Sequence, residues 1–224
     1  TPLAAAKVAG GYDFVGDAYN ADPTASDYQP VAHPDADPID CEGHGSHVAG
    51  IAAGYGVNAG GSTFTGSYQG LDSTALNALK IPPGMAPRAS IYALKVFGCT
   101  GDTEAVIPAL DWALDPNGDG NFADHLDIVN LSLGADYATV DDPENLVVDN
   151  LAKHGVLPVI AAGNNGDLTD TAGAPGNAVR ALAVASSVDD NVPLNKLAVT
   201  APASVQGTAF GQVSTAYDWA NKPA

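Results

Sequence analysis

The amino-acid sequence predicts an α/β fold in which a parallel β-sheet is flanked by helices. Four short segments are nearly continuously apolar, as strands are when both faces of a sheet are covered. These segments alternate with helix-like segments, and that alternation is typical of a parallel sheet. The predicted strands are residues 90–97, 127–133, 156–163 and 181–188.

Two helices are predicted before the second of these strands. The first is short, begins at His44 in HGSHVAGIAAG and ends at Gly54. The second covers residues 103–114, with Asp102 as its N-cap. Pro108 is an unfavourable residue inside this second helix, because it lacks a backbone N–H.

A third helix is predicted in PENLVVDNLAKHG, where Pro143 lies near the start and Gly155 follows the end. The first forty residues lack a period of 2 or 3.6 and are rich in Pro and Asp, so they are predicted to be irregular. Polar segments led by glycine, GCTGD, GADY and GNNG, follow three of the strands. Ligands bind at the carboxyl ends of strands in such sheets, so these segments are candidates for a site.

The composition excludes some partners. The chain has 224 residues, enough for one domain, and 8 Lys and Arg against 26 Asp and Glu, a formal charge of −18. Such a surface repels nucleic acid and anionic membranes. No apolar run is long enough to span a membrane. The many carboxylates offer oxygen ligands to cations.

The residues by themselves leave several roles open for the histidines and cysteines. His44 and His47 are three residues apart, as a metal pair, a catalytic base or a packed core residue would allow. A zinc site would need a third ligand that converges on them. Cys41 and Cys99 are either one disulfide or two unrelated buried thiols.

Four motifs resemble the subtilisin-like serine proteases, the subtilases. GHGSHVAGIAAG, GMAPRASIYALKVF, DIVNLSLG and VIAAGNNG occur in the order and approximate spacing of that family, from about Lys7 to Asp189. The long loops resemble large secreted bacterial subtilases with an inserted protease-associated domain. The resemblance implies a secreted serine endopeptidase that acts on peptides or proteins.

The resemblance also implies roles for single residues. His44 is the general base, and His47 is a packed structural residue. Asn164 donates its side-chain amide to the oxyanion of the tetrahedral intermediate. Two segments bind the substrate backbone. One is an edge strand of Gly98, Cys99, Thr100 and Gly101, and the other, opposite it, is Ser132, Leu133 and Gly134, which also line the primary specificity pocket.

Two motifs of the family are absent from the sequence. No Asp-Thr-Gly or Asp-Ser-Gly motif precedes the histidine block, and Asp13 in GYDFVGD is not a substitute, because the family places that phrase after the catalytic aspartate. GTAFG at 207–211 has alanine where the nucleophilic serine is expected. We therefore expect a central fragment, inactive by itself. Residues 1–200 would be a partial catalytic domain and 201–224 the start of an inserted domain or linker.

The stretch DPNGDGNFADHLD resembles the start of a calcium loop, although an Asp/Asn/Gly turn would also have this composition. Its expected closing glutamate is missing, since Leu126 occupies that position. Asp127 is an alternative to the last of the predicted ligands, which are Asp115, Asn117, Asp119, Asn121 and Asp124.

In the subtilase fold Cys41 and Cys99 would border the same cleft, which implies a disulfide between the histidine loop and the substrate edge. Two other functions stay open. One is a peptide-binding pseudoprotease without catalysis, and the other is a calcium-stabilised secreted module.

Overall fold

The computed structural model describes residues 7–166, 168, 171–187 and 195–211. The chain divides into two compact units, Thr1–Ala185 and Ser186–Ala224. The first unit contains, in order, β1 (Val8–Asp13), α1 (His44–Ala53), β2 (Val57–Asn58), α2 (Ser73–Asn77), β3 (Leu79–Ile81), β4 (Ile91–Lys95), α3 (Val106–Leu114), β5 (Ile128–Leu131), α4 (Pro143–Lys153), β6 (Leu157–Ala161) and β7 (Leu182–Val184). In the second unit, β8 (Asn195–Val199) and β9 (Gly207–Gly211) pair antiparallel.

Parallel strand pairing dominates the first unit, which confirms the predicted α/β class. β1 pairs with β4, and β5, β6 and β7 form a second parallel sheet in that order. β2 and β3 form a small antiparallel pair. Within the described part of the chain, β4 and β5 are not hydrogen-bonded to each other, so each has one open edge.

The apolar core lies between the β5–β7 sheet and the helices α3 and α4. Leu110 of α3, Leu151 of α4 and Ile160 of β6 are at most 2% exposed and belong to one cluster. The opposite face of this sheet carries exposed side chains of Ile128 and Leu157. Among the described residues, helices therefore cover one face of this sheet. The apolar sequences of the strands had predicted helices on both faces.

The prediction that the first forty residues are irregular is wrong for β1. This strand was hidden because its sequence, VAGGYD, has two glycines that weaken the strand pattern. One of them is required by the pairing: a Cβ on Gly11 would lie 2.1 Å from the carbonyl oxygen of Ala93. The following residues 20–40 contain only isolated β-bridges, as an irregular acidic loop should.

Helix α3 begins at Val106, so the predicted N-cap at Asp102 is wrong. The residues before the helix have other partners: the Thr103 hydroxyl bonds the carbonyl of Val96, and the Glu104 amide donates to Tyr19 Oη at 3.3 Å. The later start places Pro108 in the first turn. There its missing N–H has no intrahelical partner to lose, which explains why the helix tolerates it.

No helix in the described ranges is both long and apolar enough to cross a membrane.

Candidate active site

His44 is the first residue of α1, and the loop before it fixes its backbone. The Asp40 carboxylate accepts hydrogen bonds from the amides of Glu42, Gly43 and Ser46, at 2.9, 2.8 and 2.7 Å. Partial burial raises the pKa of Asp40, but the bonds from Gly43, Ser46 and Glu42 outweigh it and lower the pKa to about 2. Asp40 is therefore ionised at neutral pH. Its negative charge lies near the N-terminus of α1 and interacts favourably with the positive end of the helix dipole.

The side chains of His44 and His47 are both exposed. For His44, exposure suits a residue that meets a substrate. For His47, it contradicts the expectation of a packed structural residue. No described element covers this part of α1, where only Ala53 is buried.

The predicted disulfide is present. Cys41 and Cys99 are bonded, with their Cα atoms 5.1 Å apart. Cys41 lies three residues before His44, so the bond connects the histidine loop to the segment after β4. This segment was predicted to be the substrate edge.

The segment 98–101 is not a β-strand, contrary to the prediction. It forms bends after the end of β4, where it packs closely against the loop that contains Tyr19 and Asn20. A Cβ on Gly98 would lie 2.0 Å from the carbonyl oxygen of Tyr19, and one on Gly101 would lie 1.9 Å from Oδ1 of Asn20. Both glycines are therefore required for the close approach of backbone and loop.

A pocket of about 140 Å³ opens where β5 and β6 end. It brings together Leu133 and Gly134, which follow β5, and Asn164, which follows β6. Ser132 precedes them, and its hydroxyl accepts a hydrogen bond of 3.1 Å from the Asn130 amide. Of the described residues, the pocket is lined by residues 133–136, Ala161, Gly163, Asn164 and Gly173.

Sequence reasoning missed two parts of this pocket, Asp136 and Gly173. The signal for the first was present, because Asp136 lies in GADY, one of the glycine-led segments that follow a strand. Gly173 is distant in sequence and becomes recognisable only in the fold. A Cβ on Gly173 would lie 1.4 Å from the carbonyl oxygen of Ala135, so only glycine fits at this wall.

A buried ion pair lies near the disulfide. Lys95 Nζ is 2.9 Å from Asp13 Oδ2 and also contacts Asp17. Burial raises the pKa of Asp13, but hydrogen bonds from Lys95, Gly16 and Val15 lower it overall. Burial lowers the pKa of Lys95, while Asp13 and Asp17 raise it overall. The Asp13 carboxylate thus holds the Lys95 ammonium and the turn at Val15 and Gly16.

The predicted calcium loop follows α3 and has the backbone of a tight oxygen-rich turn. Asp115 accepts hydrogen bonds from Gly118 and Gly120 at 2.9 and 2.8 Å, and Asp119 Oδ1 accepts one from Asn121 at 2.7 Å. Gly120 has φ 78°, at the sixth position from Asp115, where calcium loops use glycine for the same turn. The chain then enters β5, so the loop lies at the amino-terminal end of this strand, whereas the pocket lies at the carboxyl end.

The remaining predicted ligands are solvent-exposed. Asn117 accepts from the Asp119 amide at 2.8 Å, and Asp124 lies in a single 3₁₀ turn. Elsewhere, in the ranges the structure covers, one acidic and sulfur cluster is close enough to share a metal, namely Asp17 with Cys41 and Cys99. Because both sulfurs are in the disulfide, this cluster is not a metal site.

Comparison with known protein sequences gives the family of the chain. The model of the subtilase family matches residues 7–224. Pyrolysin from Pyrococcus furiosus is 35% identical over 172 residues, which cover 70% of this chain and 11% of pyrolysin. Minor extracellular protease Vpr from Bacillus subtilis is 31% identical over 193 residues, 85% of this chain and 18% of Vpr. Subtilisin E from Bacillus subtilis is 30% identical over 190 residues, 80% of this chain and 42% of subtilisin E.

Fold and site together define a parallel-sheet α/β protein with a histidine at a helix N-terminus and an amide-bearing pocket at the carboxyl ends of its strands. The chain belongs to the subtilase family, a family of serine endopeptidases. It spans less than half of the length of each of the three relatives.

Proposed function

We propose that this chain supplies the general base, the oxyanion donor and the substrate pocket of a serine endopeptidase. The observation that carries the proposal is the pocket, because one cavity joins Leu133 and Gly134 to Asn164. A backbone that binds substrate and an amide that stabilises negative charge must be close neighbours for acyl transfer to occur.

In this mechanism His44 takes the proton of a serine hydroxyl as that oxygen attacks the scissile carbonyl. Histidine suits the step because its ordinary pKa is close to neutral pH. The Asn164 amide donates to the oxyanion that develops on the carbonyl oxygen. The backbones of 98–101 and 132–134 bind an extended peptide between them. Peptides and proteins are therefore the proposed substrates.

We place the nucleophilic serine and the catalytic aspartate outside these 224 residues. In the family the aspartate ends a strand, and among the described residues β4 and β5 each keep one edge that pairs with no strand. Leu94 of β4 and Leu131 of β5 already pack in the same core. A strand between them would complete one continuous sheet. Without the two motifs, the 224-residue chain alone would have no proteolytic activity.

The acidic charge of −18 favours a soluble secreted protein that avoids nucleic acid and anionic membranes. The relative Vpr is named as an extracellular protease, which supports the same localisation. The disulfide also suits an oxidising compartment. Residues 201–224 are proposed to begin an inserted domain or a linker.

A calcium ion is proposed at the loop that begins at Asp115. The carboxylate and amide oxygens alternate there with glycines, as calcium ligands do. The loop lies at the amino-terminal ends of the strands, whereas the pocket lies at their carboxyl ends. The proposed role of the ion is therefore structural. The proposed ligands are Asp115, Asn117, Asp119, Asn121 and Asp124.

The second candidate function is a pseudoprotease that binds peptides without cleaving them. It is favoured by the absence of the aspartate and serine motifs from this sequence. The two functions differ in whether the full-length protein forms an acyl-enzyme.

The proposal is tested with Asn164→Ala in the full-length protein. The donor acts on the tetrahedral intermediate, so kcat should fall by roughly 10²–10³, a range that comes from the oxyanion donor of a subtilisin itself. KM should change little. Asn165→Ala is the matched control, because Asn165 is the next residue but does not line the pocket. An unchanged kcat in Asn164→Ala would show a turn residue without a catalytic role.

A further inference from the structure

Among the residues that the structure describes, one charged side chain lines the pocket at the ends of β5 and β6. Of the residues that line it, Asp136 carries a carboxylate, and the others are Asn164 and small or apolar residues. The Oδ1 atom of Asp136 faces Gly163, since a Cβ on Gly163 would lie 3.7 Å from it. The carboxylate therefore borders the space in which a substrate side chain would lie.

The Asp136 side chain has no hydrogen bond or ion pair with any residue that the structure describes. Other aspartates of the chain, among them Asp40, Asp115 and Asp142, accept backbone amides and thereby hold a turn or a helix start. Asp136 is solvent-exposed and performs no such task within the described residues, which leaves its charge for a ligand.

The backbone of Asp136 is nevertheless held firmly. The amide of Ala135 donates to the carbonyl of Ala174 at 2.8 Å. A Cβ on Gly173 would lie 2.9 Å from the Cα of Asp136, so the two segments are in close contact. The carboxylate is thus attached to a fixed wall of the pocket.

The segment after Asp136 is also anchored. Asn177 donates its side-chain amide to the carbonyl of Ala138 at 2.9 Å. Asn145, which is 1% exposed, donates to the carbonyl of Thr139 at 3.0 Å and to Asn177 at 2.7 Å. This network of two asparagines holds the loop from both sides, as a preorganised binding residue requires.

We infer that Asp136 selects substrates with a basic side chain, lysine or arginine, at the residue before the cleaved bond. The inference rests on the proposed function and names its substrate class. A fixed carboxylate attracts a cation and repels an acidic side chain. One water needs about 10–15 Å³, so the 140 Å³ pocket has room for the several heavy atoms of a long side chain. Most of the residues that line the pocket are glycine or alanine, so no large side chain obstructs the space for a long substrate side chain.

The test measures kcat/KM of the full-length protein on peptides that differ at this one residue: arginine, lysine, norleucine and glutamate. Norleucine matches the length of lysine without the charge. We expect lysine and arginine to exceed norleucine by about twofold to fivefold, because an exposed ion pair contributes at most about 1 kcal/mol. Asp136→Asn should reduce that ratio to near one. Asp111→Asn, an exposed aspartate on α3, is the control and should leave the ratio unchanged.

Equal cleavage of the lysine and norleucine peptides by the wild-type protein would overturn the inference, and so would an undiminished ratio in Asp136→Asn. Cleavage of none of the peptides would instead contradict the proposed function. The same peptides are then measured as ligands by fluorescence anisotropy. The inference requires tighter binding of the arginine peptide than of the norleucine peptide, and equal binding would refute it.

Discussion

Two regions of the first unit are held together by different interactions. Residues 7–102, which surround β1 and β4, depend on a disulfide, a buried ion pair and many bonds between side chains and backbone. Residues 106–184, which contain β5–β7, depend mainly on the apolar core built from α3 and α4, against which Leu94 and Val96 of the first region also pack. The candidate base lies in the first region, and the proposed oxyanion donor and the pocket lie in the second. Each half of the proposed site thus inherits a different kind of stability.

The largest expected effect is in the polar region. Lys95→Met leaves the Asp13 carboxylate, which is 2% exposed, without its cation. Loss of one partner of a buried pair costs about 3–5 kcal/mol of unfolding free energy. Thermal unfolding of the full-length protein measures it. Asp17→Asn is the control, because the Asp17 side chain is 73% exposed and should contribute no more than about 1 kcal/mol.

The effect of Lys95→Met has a defined pH window. The pKa of Asp13 is lowered in the fold, so its contribution is present above its unfolded pKa and is lost as pH falls through the folded value. The pKa of Lys95 is raised, so its contribution is present below its unfolded pKa and is lost as pH rises through the folded value. The difference between wild type and variant should be widest between about pH 4 and pH 10. A constant difference across that range and into acid would contradict the ion-pair explanation.

The apolar region is tested by Leu110→Ala. Leu110 is 2% exposed and central in the core, so the cavity should cost about 2–5 kcal/mol. Unlike the previous variant, this one should show little dependence on pH. Leu146→Ala on α4 is the control, since Leu146 is 61% exposed. Equal losses of melting temperature in the two leucine variants would contradict the assigned core.

The disulfide gives the next effect in size. Cys41→Ser with Cys99→Ser removes a crosslink between residues 58 apart and should cost about 2–4 kcal/mol through the freedom of the unfolded chain. It should also lower activity, because the His44 loop loses its covalent attachment. Reduction of the wild-type protein is the parallel measurement. A melting temperature that reduction leaves unchanged would keep the bond but remove its stabilising role.

The same comparison explains how far sequence reasoning reached. The second region was predictable. β5 and β6 have continuous apolar runs, and α4 has a proline near its start and a glycine after its end. The first region was harder to predict. β1 contains Gly10 and Gly11, which allow its backbone to lie close to β4, and no local sequence pattern reveals this contact. The start of α3 was missed because Thr103 and Glu104 bond to distant residues.

The site divides in the same manner. The roles of His44 and Asn164 were predicted from short local motifs of the family, whereas the disulfide was predicted from the resemblance, which places Cys41 and Cys99 beside one cleft. Asp136 lies in GADY, a segment predicted as a site candidate, but it was not singled out there, and Gly173 was not identified because its role depends on contact with Ala135, far away in the chain. The strand character of 98–101 was wrong for a related reason, namely the contact of Gly98 with Tyr19.

The most direct test of the account is labelling of the full-length protein with a fluorophosphonate, which bonds an activated serine with loss of fluoride. The account predicts that the protein is labelled, that the labelled serine lies outside residues 1–224, and that His44→Ala abolishes labelling. His33→Ala, an exposed histidine of the irregular loop, should leave labelling intact. Labelling that survives His44→Ala, or a labelled serine within these 224 residues, would contradict the assignment of His44 as the base of a nucleophile supplied from elsewhere in the protein.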